Sequence, residues 1–254
     1  MMEDLRYTLG RALSKIVPRR TQPVVSRQVS DVPSYSSCFN TPIKVCSAEW
    51  YANERLVEVP FVHRHLPVSN GYDIRALEFG CSRSHLALEM SALGFDVVGI
   101  DLRNYELESP PFTFVRGNIL DYEDQRGFDV VCAVSVLEHI GLGVYGERAV
   151  SDDRAKVAAK LYDLLRPQGT LLVTVPCGKP TVDEFLQVFD PCEVTDTFSF
   201  ENLVLEEMQF FRRHSLREWR PCSCEEARGV SSDPSVRGPT GVNCVGCFKW
   251  RKRT

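Results

Sequence analysis

A chain of 254 residues holds one sizeable α/β domain with additions, or at a stretch two small ones, and a single core is expected. Its formal charge of −4 provides no overall positive field for gathering nucleic acid, and the dense basic run is confined to Lys249 through Arg253. No stretch approaches the length of a membrane span and the N-terminus lacks an apolar run of signal-peptide length, so a cytoplasmic protein with no nucleic-acid partner is expected.

In chain order, residues 1–70 read as an N-terminal helix, a linker and a cap, and residues 71–254 as the core. Leu5, Leu9, Leu13 and Ile16 share one helical face beside Arg6, Arg11 and Lys15. This face suits packing on the domain or on a partner, with a membrane surface as the alternative. Residues 18–48, rich in Pro, Ser, Thr and Gln, read as a loose connection or a segment wrapped over the domain. The segment "WYANERLVEVPFVHRHLP" is expected to cap the core and to bring His63, Arg64 and His65 near its mouth.

From Ile74 the pattern becomes regular. "IRALEF", "FDVVGID", "FTFVRG", "FDVVCAVS" and "GTLLVTVP" read as strands, and "SHLALEMSALG" and "DRAKVAAKLYDLL" as helices. Short β-branched strands alternating with amphipathic helices imply a parallel sheet covered on both faces. After Pro176 the alternation stops. "ENLVLEEMQFFRRHS" and "GVNCVGCFKWRK" read as two last strands separated by the excursion "PCSCEEARGVSSDPSVRGP". Cys222, Cys224, Cys244 and Cys247 have spacings that suit either a four-thiolate zinc site or a plain hairpin, and the reading taken has no metal.

Ligands of such sheets sit at the carboxyl ends of the strands. That rim holds Gly80 to Ser84, Asp101, Gly117 to Asn118, and Ser135 to His139. A dinucleotide requires G-x-G-x-x-G at the first turn, whereas Ser82 and His85 follow Gly80 at the second and third glycine positions. An adenosine ligand without phosphates asks for less: one close backbone approach at Gly80, and a carboxylate such as Asp101 for the ribose hydroxyls.

"LEFGCSRS" resembles the first motif of class I S-adenosylmethionine-dependent methyltransferases, with serines in place of its later glycines. "VVGIDLR", "FVRGNILD", "FDVVCAVSVLEHIG" and "LLRPQGTLLVTVP" resemble the family's later motifs in order. "ERLVEVPFVHRHLP", "LEHIGLGVYGE" and the closing strands are also similar to a bacterial group found in polysaccharide and natural-product gene clusters.

The family resemblance implies a Rossmann-like three-layer sandwich with a mostly parallel seven-stranded sheet and an antiparallel last strand. It implies S-adenosyl-L-methionine as cofactor, held by Glu78, Gly80, Cys81, Ser82, Asp101, Leu102, Asn118, Ile119 and Ser135. Within that set Glu78 supports the loop and the methionine ammonium, Asp101 holds the ribose, Asn118 meets the adenine amino group, and Leu102 and Ile119 sandwich the ring. The narrower likeness implies a substrate-facing loop at 141–147 and a small hydroxylated acceptor, and a homodimer is compatible with it.

A hydroxyl acceptor benefits from a base that removes its proton, and His139 at the rim is the first candidate, with a plain wall of the cofactor site as its alternative. Tyr145 is read as orienting the acceptor or packing the loop. Glu138 is read as fixing the loop or acting as a carboxylate base. Asp152 and Asp153 suit helix capping better than a magnesium site. Cys177 stands where a carbon-methylating thiol would, without the rest of that pattern. The rival to an enzyme is a non-catalytic interaction protein of the same fold, for which Ser82 and Ser84 are the best support. The remaining alternative is a nitrogen or carbon acceptor.

Overall fold

The computed structural model describes residues 53–68, 73–105, 107–145, 153–215, 218–231 and 241–254. The expected N-terminal helix and the linker at 18–48 lie outside them, as does Asp152. Helix α1 (Arg55–His65) precedes strand β1 (Arg75–Phe79), helix α2 (Leu86–Ala92), strands β2 (Asp96–Asp101), β3 (Thr113–Arg116) and β4 (Phe128–Val134), helix α3 (Asp153–Leu164) and strand β5 (Leu165–Pro176). Then come the short pair β6 (Thr181–Val182) and β7 (Gln187–Val188), helix α4 (Pro191–Thr197), strands β8 (Leu203–Ser215) and β9 (Glu218–Cys222), helix α5 (Cys224–Gly229) and strand β10 (Cys244–Lys252).

Among the described residues the main sheet has eight strands in the order β3-β2-β1-β4-β5-β10-β8-β9. The first five run parallel, and β10, β8 and β9 each pair antiparallel with the strand before them in that order. The seven expected strands are present. The eighth is β9, a hairpin return from β8 whose final residues had been read as the start of the excursion.

Because side chains alternate along a strand, each strand feeds two separate cores. Leu77, Phe79, Val131, Ala133, Leu171 and Val173 meet α3 through Val157, Ala158 and Leu161. Ala76, Val130, Cys132 and Leu172 meet α1 and α2 through Phe61, Val62, Leu86 and Met90. The result is a three-layer sandwich. The same alternation separates the tail thiols: Cys244 belongs to one core and Cys247 to the other, so the four cysteines do not converge on one ion.

The N-terminal end of the sheet is tied by a charged staple. Buried Arg75 donates twice to Asp124 at 2.9 Å, to Asp96 at 3.0 Å and to the Gly127 carbonyl at 2.6 Å, and lies 4.5 Å from the Phe128 ring centre. The opposite end is where the irregular turns gather.

Candidate active site

Gly80 ends β1 in the left-handed region (φ 84°), and a Cβ placed there would come within 2.6 Å of Val136 Cγ2. Glycine therefore permits both the turn and the close approach of the β1 and β4 ends. The N–H groups that open α2 are satisfied by neighbouring side chains. Ser84 Oγ accepts from the Leu86 amide at 3.1 Å, and Glu78 Oε2 from the Ala87 amide at 2.7 Å. Burial pushes the Glu78 carboxyl up to about 7 despite those bonds.

Two cavities meet at this rim. The first, of 160 Å³, is walled by Gly80, Asp101, Leu102, Asn118, Ile119 and Val157, among others. The second, of 220 Å³, is walled by Glu54, Arg55, Arg83, Ser135, Glu138 and Phe185, among others. Gly80, Arg103, Val136, His139 and Tyr145 border both.

Around the first cavity, Asp101 accepts from the Ser82 amide at 2.9 Å and from the Arg103 backbone and guanidinium. Asn118 Oδ1 accepts from the Leu120 amide at 3.0 Å, capping the tight turn Ile119–Asp121 and fixing Ile119 in the wall. Cys81 and Ser82 do not line either cavity. The Cys81 thiol is packed toward Gly99 with its pKa raised, burial being the main cause, and the Ser82 hydroxyl donates to the Asn104 carbonyl at 2.9 Å. Glu78 likewise lies behind the loop, where it holds the helix start.

Around the second cavity, Ser135 takes a left-handed conformation (φ 47°) that a non-glycine residue adopts only when its surroundings impose it. Its Oγ donates to Glu58 Oε1 at 2.6 Å, Thr174 Oγ1 donates to the same oxygen at 2.7 Å, and Arg55 donates to Glu58 Oε2 at 2.8 Å. Arg55 also donates to the Val134 carbonyl at 3.1 Å. Helix α1 thus clamps the ends of β4 and β5 through buried charge.

The turn Leu137–His139 follows. Glu138 is 3 % exposed and its Oε2 has no hydrogen-bond partner; burial, with repulsion from Glu58 and Glu54, pushes its carboxyl up to about 8. His139 Nδ1 lies 2.7 Å from the Phe185 carbonyl. A carbonyl only accepts, so Nδ1 carries the proton and Nε2 of the neutral ring carries the lone pair. The His139 ring meets Tyr145 edge-on at 5.4 Å and Phe185 at 4.8 Å.

The three candidates His139, Glu138 and Tyr145 are therefore together, and the cofactor candidates Gly80, Asp101, Leu102, Asn118 and Ile119 surround the adjoining space. Ser135 faces the second cavity rather than the first. Asp153 borders the first cavity and forms an ion pair with Lys156 at 3.3 Å. Cys177 is buried in the sheet core with its thiol pKa raised and borders neither cavity.

Helix α1 meets the rim with its first turn, not its last. His63 pairs with Glu89 at 2.6 Å, and Arg64 and His65 both reach Glu207, so the helix axis carries them over α2 and β8. Glu54 and Arg55 take the place at the mouth expected of those residues, with Glu58 fully buried behind them. Sequence reasoning also missed Arg103 and Phe185, and placed Arg83 on the rim without giving it a role. Arg103 stands two residues after Asp101, near enough for its guanidinium to fold back, while Phe185 comes from a loop 46 residues beyond His139 with no local signal.

This sheet order, with its paired cavities at the carboxyl ends of parallel strands, defines a Rossmann-like fold. A family model described as a methyltransferase domain matches residues 51–220, and the chain belongs to that family. Among solved structures it is similar to the 1,6-didemethyltoxoflavin-N1-methyltransferase of Burkholderia thailandensis, crystallised with 1,6-didemethyltoxoflavin and S-adenosylhomocysteine. That match has 14% identity and a TM-score of 0.54 over 94% of this chain and 91% of that one. A S-adenosylmethionine-dependent methyltransferase of Clostridium acetobutylicum is similar at 11% identity and a TM-score of 0.52, over 87% and 98%. At these identities the likeness is one of fold. No curated protein matches the sequence.

Proposed function

We propose that the protein transfers a methyl group from S-adenosylmethionine to a hydroxyl of a small molecule, such as a sugar or a natural-product intermediate, in the cytoplasm. One observation carries the reading: a carboxylate, an amide and two aliphatic walls surround a single cavity beside a glycine that cannot be replaced without a clash. Asp101 suits the ribose hydroxyls, Asn118 the adenine amino group, and Leu102 and Ile119 the faces of the ring. Glu78 acts behind the loop, fixing the start of α2. When bound, the cofactor supplies an electrophilic methyl carbon on a positively charged sulfur.

The chain's own task is to hold the acceptor oxygen in line with that carbon and to remove its proton. His139 suits the second role, because the bond from its Nδ1 to Phe185 leaves Nε2 as the basic nitrogen. Glu138 stays protonated near neutral pH, so it holds the acceptor by donating a hydrogen bond rather than by taking a proton. Tyr145, packed edge-on against His139, limits the ring's movement and forms a wall for the acceptor. The strained Ser135 and the buried acid Glu138, whose Oε2 has no hydrogen-bond partner, speak against a purely structural descendant of the fold. Each costs stability that a scaffold for partner binding has no reason to retain.

Calorimetric titration with S-adenosylhomocysteine tests the cofactor, with NADH as control. Binding in the micromolar range that is lost in Asp101→Ala is the expected outcome, and no binding by the wild-type chain overturns it. Transfer of labelled methyl to panels of hydroxylated and amine acceptors then decides the acceptor atom.

A further inference from the structure

Hydrogen-bond accounting at Asp101 shows a conflict between the ribose and the protein's own side chain. Oδ1 accepts from the Arg103 amide at 2.9 Å and from Arg103 Nε at 3.1 Å. Oδ2 accepts from the Ser82 amide at 2.9 Å and from Arg103 Nη2 at 3.2 Å. An ionised carboxylate has about four lone-pair directions, so all are taken. The two backbone donors are fixed by their loops. The guanidinium, on a flexible stem, is the donor pair that can leave.

Its surroundings say where it goes. The Arg103 guanidinium carbon lies 4.1 Å from the centre of the Tyr145 ring, which in turn touches His139. Arg103 borders both cavities, and the second also contains Arg55 and Arg83. Arg55 is neutralised by Glu58 at 2.8 Å, whereas among the described residues no ion pair is formed by Arg83. Two acids face the same space: Glu54 at the start of α1, and Glu138, whose burial keeps it neutral near pH 7. A guanidinium released from Asp101 would join Arg83 in this half-buried region, two cations beside the single acid Glu54, an excess of positive charge that favours capture of an anion.

We propose that the cofactor's ribose displaces the Arg103 guanidinium from Asp101 into the second cavity, where with Arg83 it binds an anionic group of the acceptor. This rests on the cofactor reading above and narrows the acceptor to hydroxylated small molecules that carry a carboxylate or a phosphate. It also sets an order: cofactor first, acceptor second. Arg103 is then a specificity residue that links the two sites, with Tyr145 as the surface along which it turns.

The test uses the full chain and its Arg103→Met variant, which keeps the apolar stem and removes the charge, with Arg103→Ala as a second variant should the first fold poorly. S-adenosylhomocysteine is titrated into each, and inorganic phosphate into the free and the S-adenosylhomocysteine-saturated proteins. Loss of the internal competitor should tighten S-adenosylhomocysteine binding about two- to five-fold, as expected for a partly exposed ion pair. In the wild type, phosphate should bind the saturated protein more tightly than the free one by a similar factor, and the difference should vanish in the variant. Propionate in place of phosphate distinguishes the two anionic groups, the tighter probe naming the group. Equal or weaker S-adenosylhomocysteine binding in a folded variant, or phosphate binding indifferent to S-adenosylhomocysteine, overturns the proposal. A wild type that binds phosphate but no S-adenosylhomocysteine overturns instead the cofactor reading on which it rests.

Discussion

At the scale of single residues, the rim is built from positions whose backbone conformation is not the residue's own choice. Gly80 turns with φ 84° under Val136, and Ser135 is held at φ 47° by its hydroxyl bond to Glu58. Gly80→Ala adds both a left-handed strain and a 2.6 Å contact, so a loss of about 2–4 kcal/mol is expected by denaturant unfolding. Combining it with Val136→Ala should recover a small part of that loss, because the contact with Cγ2 is relieved while the 2.8 Å contact with Cβ and the backbone strain remain. Full recovery would show that only the Cγ2 contact mattered. Gly80 was legible in the sequence as the glycine between a strand and a helix. Ser135 was legible as a rim position, but its strain was not, because the residue that imposes it lies 77 positions away.

At the scale of elements, α1 does more than cover apolar surface. Glu58, fully buried, accepts from Arg55, Ser135 and Thr174, and so joins the helix to the ends of two strands. Glu58→Ala leaves Arg55 without its counter-charge and is expected to cost about 3–5 kcal/mol. Ser135→Ala removes one hydrogen bond and should cost about 1 kcal/mol, and Thr174→Val removes two, the second a 3.2 Å bond from the Ser135 amide, and should cost about 1–2 kcal/mol. The midpoints of chemical denaturation measure all three, and a Glu58→Ala loss no larger than the others would show that the ion pair is not the main fastening. The sequence placed this helix as a cap but assigned its last turn to the mouth, since histidines attract notice there and a mid-helix glutamate does not. Two short helices were missed although their caps are local. Asp190 caps α4 ahead of Pro191, and Ser223 with Glu226 forms a capping box for α5. Both lie in stretches whose Pro and Cys content reads as loop.

At the scale of the molecule, the two ends of the sheet carry opposite electrostatic designs, and stability should follow pH accordingly. Arg75 holds the Asp124 carboxyl down at about 2, so that contribution is present above the unfolded carboxylate range and is lost as pH falls toward 2. Glu78 and Glu138 do the reverse. Burial raises them to about 7 and about 8, so their neutral forms favour folding fully below about pH 4, and that advantage is lost as pH rises to 8. His65, lowered chiefly by burial, opposes this below about pH 6.5, against the two buried acids. The melting temperature is therefore expected to decline from pH 5 to pH 8, and Glu138→Gln to flatten the decline. A wild-type profile that rises over this range would contradict the assignment of the buried acids.

Residue periodicity and turn chemistry were enough to specify the parallel strands, their covering helices and the rim, because each depends on neighbours a few positions apart; the family came from the resemblance of five short motifs in order. The first cavity was readable for the same reason: Asp101 ends a strand, Gly80 and Asn118 stand within two residues after one, and parallel strands deliver their ends to one edge. Tertiary structure alone decided the rest. It added the eighth strand, faced Cys244 and Cys247 to opposite cores, brought Phe185 to His139 and Glu58 to Ser135, and seated Arg103 on the carboxylate expected to hold a ribose. Those facts depend on which side chains meet across the sheet and on how many lone pairs a carboxylate has left, and neither is written in local sequence.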